Sequence, residues 1–573
     1  MMPSIFEKRR ALYAVCMLVL LSAVSTTTAC FFSSPTEPRG DQAQDAVGSS
    51  NVARATTSLT RTATGPARGA DGELARRIAR VIDESEFAAA RWGIAVLSAR
   101  DGRTLYARNA EQLFTPASNM KVYTTAVGLE LLGADYRWRT SVYTDAQPDA
   151  SGTISGDLVL YGRGAPDLTS RSNERHDKQR AGQREMKATP PDLQQLVDQL
   201  YERGVRRVHG RIIGDSSYFR GAALGDGWLW EDVQWYFGAE PSALSIDGNE
   251  FTLSVTPARK VGDAVDVKLS PATDYIRIFN DMTTAERGVR PSIGIERDLS
   301  SNGVRVWGEF PAGSAGYGVR LAVHRPALWA AQLFRDALRA RGIAVDGDTV
   351  ERDWRVRESE KFDPARAVEL AAVLSSSLGE VVHDINKESL NLQAELVLRT
   401  LGKERGVLAP LDDPQKMRNR FDDQAAVAVV RLWLERAGIP ADGMALHDGS
   451  GLSRLNLVTP TATARLMLRM AQSPASANIF RDSLPVAGRD GTLQYRLRDL
   501  AKNVDANSER IAAKTGALTY VAALSGYATT AEGEVLAFSI ICNDETDRKP
   551  STRVIDTIAA LLAAYPNFDA IEE

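Results

Sequence analysis

The stretch PASNMK at residues 116–121 places Ser118 three residues before Lys121. In a helix, residues three apart lie on one face, so the two side chains become neighbours if a helix begins at or just before Ser118. A serine hydroxyl is a weak nucleophile until a base takes its proton, and a lysine can serve once desolvation or nearby positive charge keeps part of it neutral. Backbone N–H groups at a helix start also favour developing negative charge. On spacing alone the same residues suit an ordinary helix start, where Pro and Ser are common. Among the lysines, only Lys121 has Ser at the minus-three position.

Two further constellations carry chemistry. Lys514-Thr515-Gly516 occurs once, in a strand-like run near the C-terminus. A lysine beside a threonine hydroxyl on a strand edge offers a cation and a donor to a carboxylate, and Gly516 lets another backbone approach closely. By itself the tripeptide also fits an exposed strand edge beside a turn. Ser389-Leu390-Asn391 is selected by context rather than by pattern. Ser-x-Asn recurs at Ser49, Ser300 and Ser476, whereas NKESLN precedes an amphipathic helix and falls between the other two motifs in chain order.

The elements that must position these residues follow from periodicity. ELARRIARVIDES reads as an amphipathic helix, and RWGIAVLSARDGRTLYARNA as two strands around Arg100-Asp101-Gly102. Helical spacing follows Ser118. From about 137 to 365 the texture becomes short strands and turns (RWRTSVYTD, GDLVLYG, RVHGRIIGDSSYF, NEFTLSVTP, GVRVWGEF, YGVRLAVHR), interrupted by a polar stretch at 170–190 that reads as an exposed loop. Helical spacing returns over 383–402 and 421–438. RIAAKTGALT, YVAALSGYATT and GEVLAFSIICND read as consecutive antiparallel strands. The expected division is a catalytic domain in two parts, 74–136 and 366–573, around a β-rich insert of one or two domains at 137–365.

Composition narrows the function classes. The 573 residues, 44% of them hydrophobic, suffice for a large core, and a net charge of −4 gives no electrostatic footprint for nucleic acid. No C-x-x-C pair or HExxH helix occurs, so neither a metal nor a cofactor is expected. The five histidines are scattered and none accompanies a G-x-S-x-G elbow, which disfavours a Ser-His-Asp hydrolase. Lys8, Arg9 and Arg10 precede an apolar run from Ala11 to Val24 and then STTTAC, the order of a secretory signal over 1–29. The run is shorter than the ~20 residues that span a bilayer. Residues 30–73, rich in Ser, Thr, Pro, Gly and Ala at their start, read as a flexible linker. Cys542 sits in an apolar strand-like run and reads as a buried small hydrophobe.

Taken in order, S-x-x-K, S-x-N and K-T-G resemble the active-site set of the serine penicillin-interacting enzymes, the penicillin-binding proteins and serine β-lactamases. The separation of Ser118 from Ser389 exceeds what a compact β-lactamase would use, and the excess coincides with the β-rich insert. The chain from about 75 to 565 is similar to the penicillin-binding protein 4 type of D-alanyl-D-alanine carboxypeptidase/endopeptidase, the class C low-molecular-mass group. Further similar segments are GDLVLYGRGAPDLTS, GRIIGDSSYF, LHDGSGLSRLNLVTP and LPVAGRDGTLQYR. The resemblance implies an α/β fold with a penicillin-binding/β-lactamase-like transpeptidase domain, an antiparallel sheet flanked by helices. It implies peptidoglycan stem peptides as substrates and β-lactam antibiotics as inhibitors. It casts Ser118 as nucleophile, Lys121 as its base and Ser389 as proton relay, with Asn391 holding the substrate amide or Lys121. Lys514 and Thr515 would bind the terminal carboxylate, Gly516 completes the motif, and the N–H groups of Ser118 and Ala517 would form an oxyanion hole. The Ala29-Cys30 junction resembles a bacterial lipoprotein cleavage site, with Thr27 where Leu is usual, so Cys30 is the candidate lipid attachment residue of a periplasmic or cell-envelope protein. Two alternatives stay open: a β-lactam hydrolase of the same fold, and a non-catalytic penicillin- or muropeptide-binding lipoprotein.

Overall fold

Alternation of large and small side chains along one strand sets the architecture around the site. In β1 (Arg91–Ser98), Trp92, Ile94 and Val96 face one way, and Gly93, Ala95 and Leu97 the other. The first set packs on helices α1 (Ala70–Asp83) and α6 (Thr552–Ala564) through Leu74, Ile78, Ile555 and Ile558. The second face is kept low so that α5 (Pro460–Ala471) can approach. A Cβ on Gly93 would stand 2.4 Å from the Phe114 ring and 2.8 Å from Pro460.

The computed structural model describes residues 70–168, 189–356, 362–498, 510–546 and 551–568. The expected signal over 1–29, Cys30, most of the linker and most of the 170–190 loop lie outside the described residues. The site-bearing sheet is antiparallel throughout, in the order β3 (Ile511–Leu518), β4 (Val521–Thr529), β5 (Val535–Asn543), β1, β2 (Thr104–Arg108). β3 is therefore an edge strand, and it carries Lys514. Cys542 lies fully buried on β5, as its apolar surroundings predict.

The helix after Ser118, α2 (Met120–Leu132), is buried all round from Met120 to Leu129. It runs through the protein's interior, so Lys121 is fully buried although lysine is among the residues least often found there. The region read as one helical pattern over 383–402 is broken. α3 (Leu378–Glu388) starts at a capping box between Ser377 and Glu380 and stops at Ser389, whose φ of 60° and ψ of 43° are left-handed; α4 (Asn391–Arg405) restarts two residues later.

Residues 139–374 contribute a five-stranded mixed sheet and smaller sheets. The order is Thr349–Arg352, Ile212–Asp215, Leu158–Tyr161, Arg139–Thr144, Val368–Leu374. The strand Val368–Leu374 returns to pair antiparallel with Arg139–Thr144. Three three-stranded sheets are built from Glu250–Thr256, Asp266–Ser270 and Tyr317–Ala322, from Arg277–Ala285, Ser292–Arg297 and Gly303–Pro311, and from the short strands Thr153–Ile154, Arg207–Val208 and Ala344–Val345. Two helices, Pro191–Glu202 and Pro326–Ala340, pack here as well. The strand-dominated reading of this region omitted them. The fold class is α/β, with an antiparallel sheet flanked by helices and a second, largely β, portion.

Candidate active site

Ser118 sits in a 3-10 turn, Ala117–Asn119, immediately before α2. Ala117 has φ of +48°, a left-handed conformation that costs a non-glycine residue about 1–2 kcal/mol and turns the chain sharply into the helix. Two glycines clamp this turn. The Ala117 carbonyl oxygen would lie 1.8 Å from a Cβ on Gly451, and the Pro116 carbonyl oxygen 2.7 Å from one on Gly516. With no side chain at Gly516, β3 closes on the turn that carries Ser118.

The Lys121 ammonium donates to three acceptors: Ser118 Oγ at 3.0 Å, Asn391 Oδ1 at 2.6 Å and the Ser450 carbonyl at 2.6 Å. Burial lowers its pKa from the usual lysine value to about 7, against the opposing pull of the Asp448 and Glu395 carboxylates. A neutral amine keeps two N–H donors for Asn391 and Ser450, and its lone pair then faces the Ser118 hydroxyl. Asn391 Oδ1 thus accepts from Lys121, and its Nδ2 donates to the Phe237 carbonyl at 2.8 Å.

Ser389 Oγ accepts a hydrogen bond from Lys514 Nζ at 2.9 Å, and Lys514 also donates to the Thr515 carbonyl. Lys514 is fully buried, and burial followed by repulsion from Lys121 holds its pKa well below the lysine range. Thr515 Oγ1 lies 2.7 Å from Thr492 Oγ1. The orientation of the Ala517 N–H follows from strand alternation. Ala513 N–H points out of the sheet to the Pro485 carbonyl, so the N–H of Ala517, four residues on, points out of the same edge. Ser118, Ser389, Asn391 and Ala517 line one cavity of about 1410 Å³, together with Phe237, Arg454 and Thr492. The structure therefore brings together all the sequence-predicted residues of the three motifs.

Two contributors carried no motif of their own. Asp448, buried, gathers the N–H groups of Gly451 and Ser453 at 2.8 and 2.7 Å and Asn456 Nδ2 at 2.6 Å, which folds 448–456 into a tight loop. Glu395, one turn after Asn391, accepts from the N–H groups of Gly449 and Ser450, so the Ser450 carbonyl is aimed back at Lys121. Burial first and Asp448 second push the Glu395 carboxyl up to about 7. The available signal was DGSG, two glycines around a short polar residue after an aspartate, which marks a tight turn.

The model of the D-Ala-D-Ala carboxypeptidase 3 (S13) family matches residues 74–565. The chain belongs to this family. A D-alanyl-D-alanine carboxypeptidase from Actinomadura sp. (strain R39) is 33% identical over 515 residues, covering 87% of this chain and 86% of the relative. D-alanyl-D-alanine carboxypeptidase DacB from Haemophilus influenzae is 26% identical over 435 residues, covering 75% and 80%. Among solved structures, penicillin binding protein 4 (dacB) from Haemophilus influenzae matches with a TM-score of 0.68 at 23% identity, over 85% of this chain and 99% of that one. The same protein complexed with a β-lactam matches with a TM-score of 0.64. These structural likenesses establish the fold, and the family assignment agrees with the order of the three motifs.

Proposed function

We propose that this S13 family member is a serine DD-peptidase in which Ser118 attacks the carbonyl of the penultimate D-alanine of a peptidoglycan stem peptide. The observation that carries the reading is the 3.0 Å contact between Ser118 Oγ and a fully buried Lys121 whose pKa is near neutrality. Lys121 takes the hydroxyl proton as Oγ bonds to the carbonyl carbon. The N–H groups of Ser118 and Ala517 receive the oxyanion. Ser389 passes a proton to the leaving nitrogen, since its own oxygen accepts from Lys514 and its hydrogen is left to donate. Terminal D-alanine, or the amine of a cross-link, departs. Water then hydrolyses the acyl-enzyme. Lys514 and Thr515 face the terminal carboxylate of the substrate, and a β-lactam acylates the same serine.

The experiment is intact-mass analysis after benzylpenicillin, with peptide mapping. One penicillin on Ser118, lost in Ser118→Ala, is the expected result; labelling that survives in the variant would place the nucleophile elsewhere. Release of D-alanine from a stem peptide separates the enzyme from a penicillin receptor, and turnover of the drug separates it from a β-lactam hydrolase.

The division into 1–29 signal, 30–73 linker, catalytic parts 74–136 and 366–573 and insert 137–365 belongs to the same proposal. The pairing of Val368–Leu374 with Arg139–Thr144 favours drawing the end of the insert a few residues later. Among the described residues no helix is long and apolar enough to cross a membrane. Export to the periplasm or cell envelope, with lipid on Cys30, rests on the n-region, apolar run and Ala29-Cys30 junction. A processed protein whose mass includes an unmodified Cys30, or lacks Cys30, would remove the anchor.

A further inference from the structure

The segment LPVAGRDGTLQYR carries one more polar group into the cavity. Pro485 and Ala487 extend the sheet along the edge of β3: Ala513 donates to the Pro485 carbonyl at 2.9 Å and Ala487 to the Ile511 carbonyl at 3.0 Å. The chain then turns away and leaves the edge at 515–517 open. The turn is anchored from α3. Lys387, largely buried, donates to the Leu484 carbonyl at 2.6 Å and to Asp490 Oδ1 at 2.8 Å, and the same carboxylate oxygen accepts from the Val486 N–H at 2.9 Å. Gly491, at φ of +55°, fits because a Cβ there would stand 2.7 Å from the Lys387 carbonyl oxygen. Leu493 is fully buried. Between these two anchors the exposed Thr492 side chain is held with its hydroxyl 2.7 Å from that of Thr515.

We propose that Thr492 is a specificity-determining residue, and that its hydroxyl and that of Thr515 together form the seat for the substrate's C-terminal carboxylate. The inference rests on the reading above that Lys514 and Thr515 face that carboxylate. On β3, residues 515 and 517 share a face, and position 517 is alanine, so the strand itself brings one hydroxyl there. The second comes from Thr492, which lines the cavity, whereas Thr515 is half-buried. Two hydroxyls in contact share one of their two hydrogens and leave the other to donate outward. A hydroxyl that accepts a hydrogen bond donates more strongly in turn. The pair therefore presents a polarised donor to an anion beside Lys514, and Lys387 and Asp490 are positioning residues that hold Thr492 in place.

The test compares kcat/KM for a peptide ending in D-Ala-D-Ala with that for the same peptide as its C-terminal carboxamide, in the unaltered protein, Thr492→Val and Thr492→Ser. Valine keeps the shape of threonine and removes the hydroxyl; serine restores it. Thr492→Val is expected to lower the preference for the carboxylate peptide about tenfold, mostly through KM, and Thr492→Ser to recover most of it. Equal losses on both peptides, or no loss of preference, would overturn the proposal while Ser118 acylation by benzylpenicillin leaves the catalytic reading intact. No preference in the unaltered protein would instead overturn the assignment of Lys514 and Thr515 to the carboxylate, and the seat with it. A thermal melt of each variant confirms that differences arise in folded protein.

Discussion

The proposed role of Lys121 as base rests on a protein interior that withholds water from the amine without withholding partners. Burial lowers the pKa of the amine, Asp448 and Glu395 pull the other way, and the outcome is a pKa of about 7. Neither carboxylate makes a hydrogen bond to Lys121; each acts on it through space by its charge, and each also holds backbone N–H groups of the loop whose Ser450 carbonyl accepts from Lys121. The sign of the pH dependence follows. The reactive form is the neutral amine, so acylation by benzylpenicillin should rise with pH through an apparent pKa near 7. Glu395, itself pushed up to about 7, carries its negative charge above that pH, and Glu395→Gln removes a charge that there favours protonated Lys121. Its acylation profile should therefore move to lower pH, by up to about one unit. A stopped-flow acylation series across pH measures this, and a shift to higher pH would take Glu395 out of the charge balance.

At the scale of elements, the site depends on three backbones meeting closely: the 3-10 turn before α2, the loop 448–456 and the edge strand β3. Gly451 is the tightest of these contacts, with φ of +83° and the Ala117 carbonyl oxygen 1.8 Å from where a Cβ would sit. Gly451→Ala must displace the turn bearing Ser118, and a displacement on the order of 1 Å at the nucleophile costs about 10²-fold in rate. Gly443→Ala is the control, since Gly443 has a similar φ of +75° with nothing within 4 Å. Penicillin acylation should collapse in the first and persist in the second. The same contacts explain what the sequence could reveal. Helical and strand periodicity placed α1, β1 and the three C-terminal strands, because each buries a continuous apolar face, and β2 by the turn residues that join it to β1. Ser118, Lys121, Lys514 and Gly516 were readable because their spacing is local. Ser389 was readable only by context, and the break that puts it in a left-handed turn was hidden beneath a helical pattern running from α3 into α4. Asp448, Glu395 and Thr492 were not readable as site residues, since each acts through contacts between segments distant in sequence.

At the scale of the whole molecule, the segment 219–241 joins residues 139–374 to the surroundings of Lys121. The Phe237 carbonyl holds Asn391, Trp228 Nε1 donates to Asp448 at 3.0 Å, and the Ala222 carbonyl accepts from Arg399 Nη2 at 2.7 Å. Asn391, Glu395 and Arg399 are successive turns of one face of α4, so a single helix carries the partner of Lys121, the brace of its loop and the tie to this segment. The sequence separates these groups by more than 150 residues, and the folded chain makes them one polar layer beneath the cavity. Arg399 is nearly fully buried and gives the sharpest test of that coupling. Arg399→Met keeps the length of the side chain and strands the Ala222 carbonyl, at a cost of about 1–3 kcal/mol. A lower melting temperature is the expected outcome, together with slower acylation in the fraction that remains folded, because Phe237 and Trp228 lie on the loosened segment. A lowered melting temperature with unchanged acylation would show that Arg399 serves stability alone, and that the segment holds the surroundings of Lys121 without it.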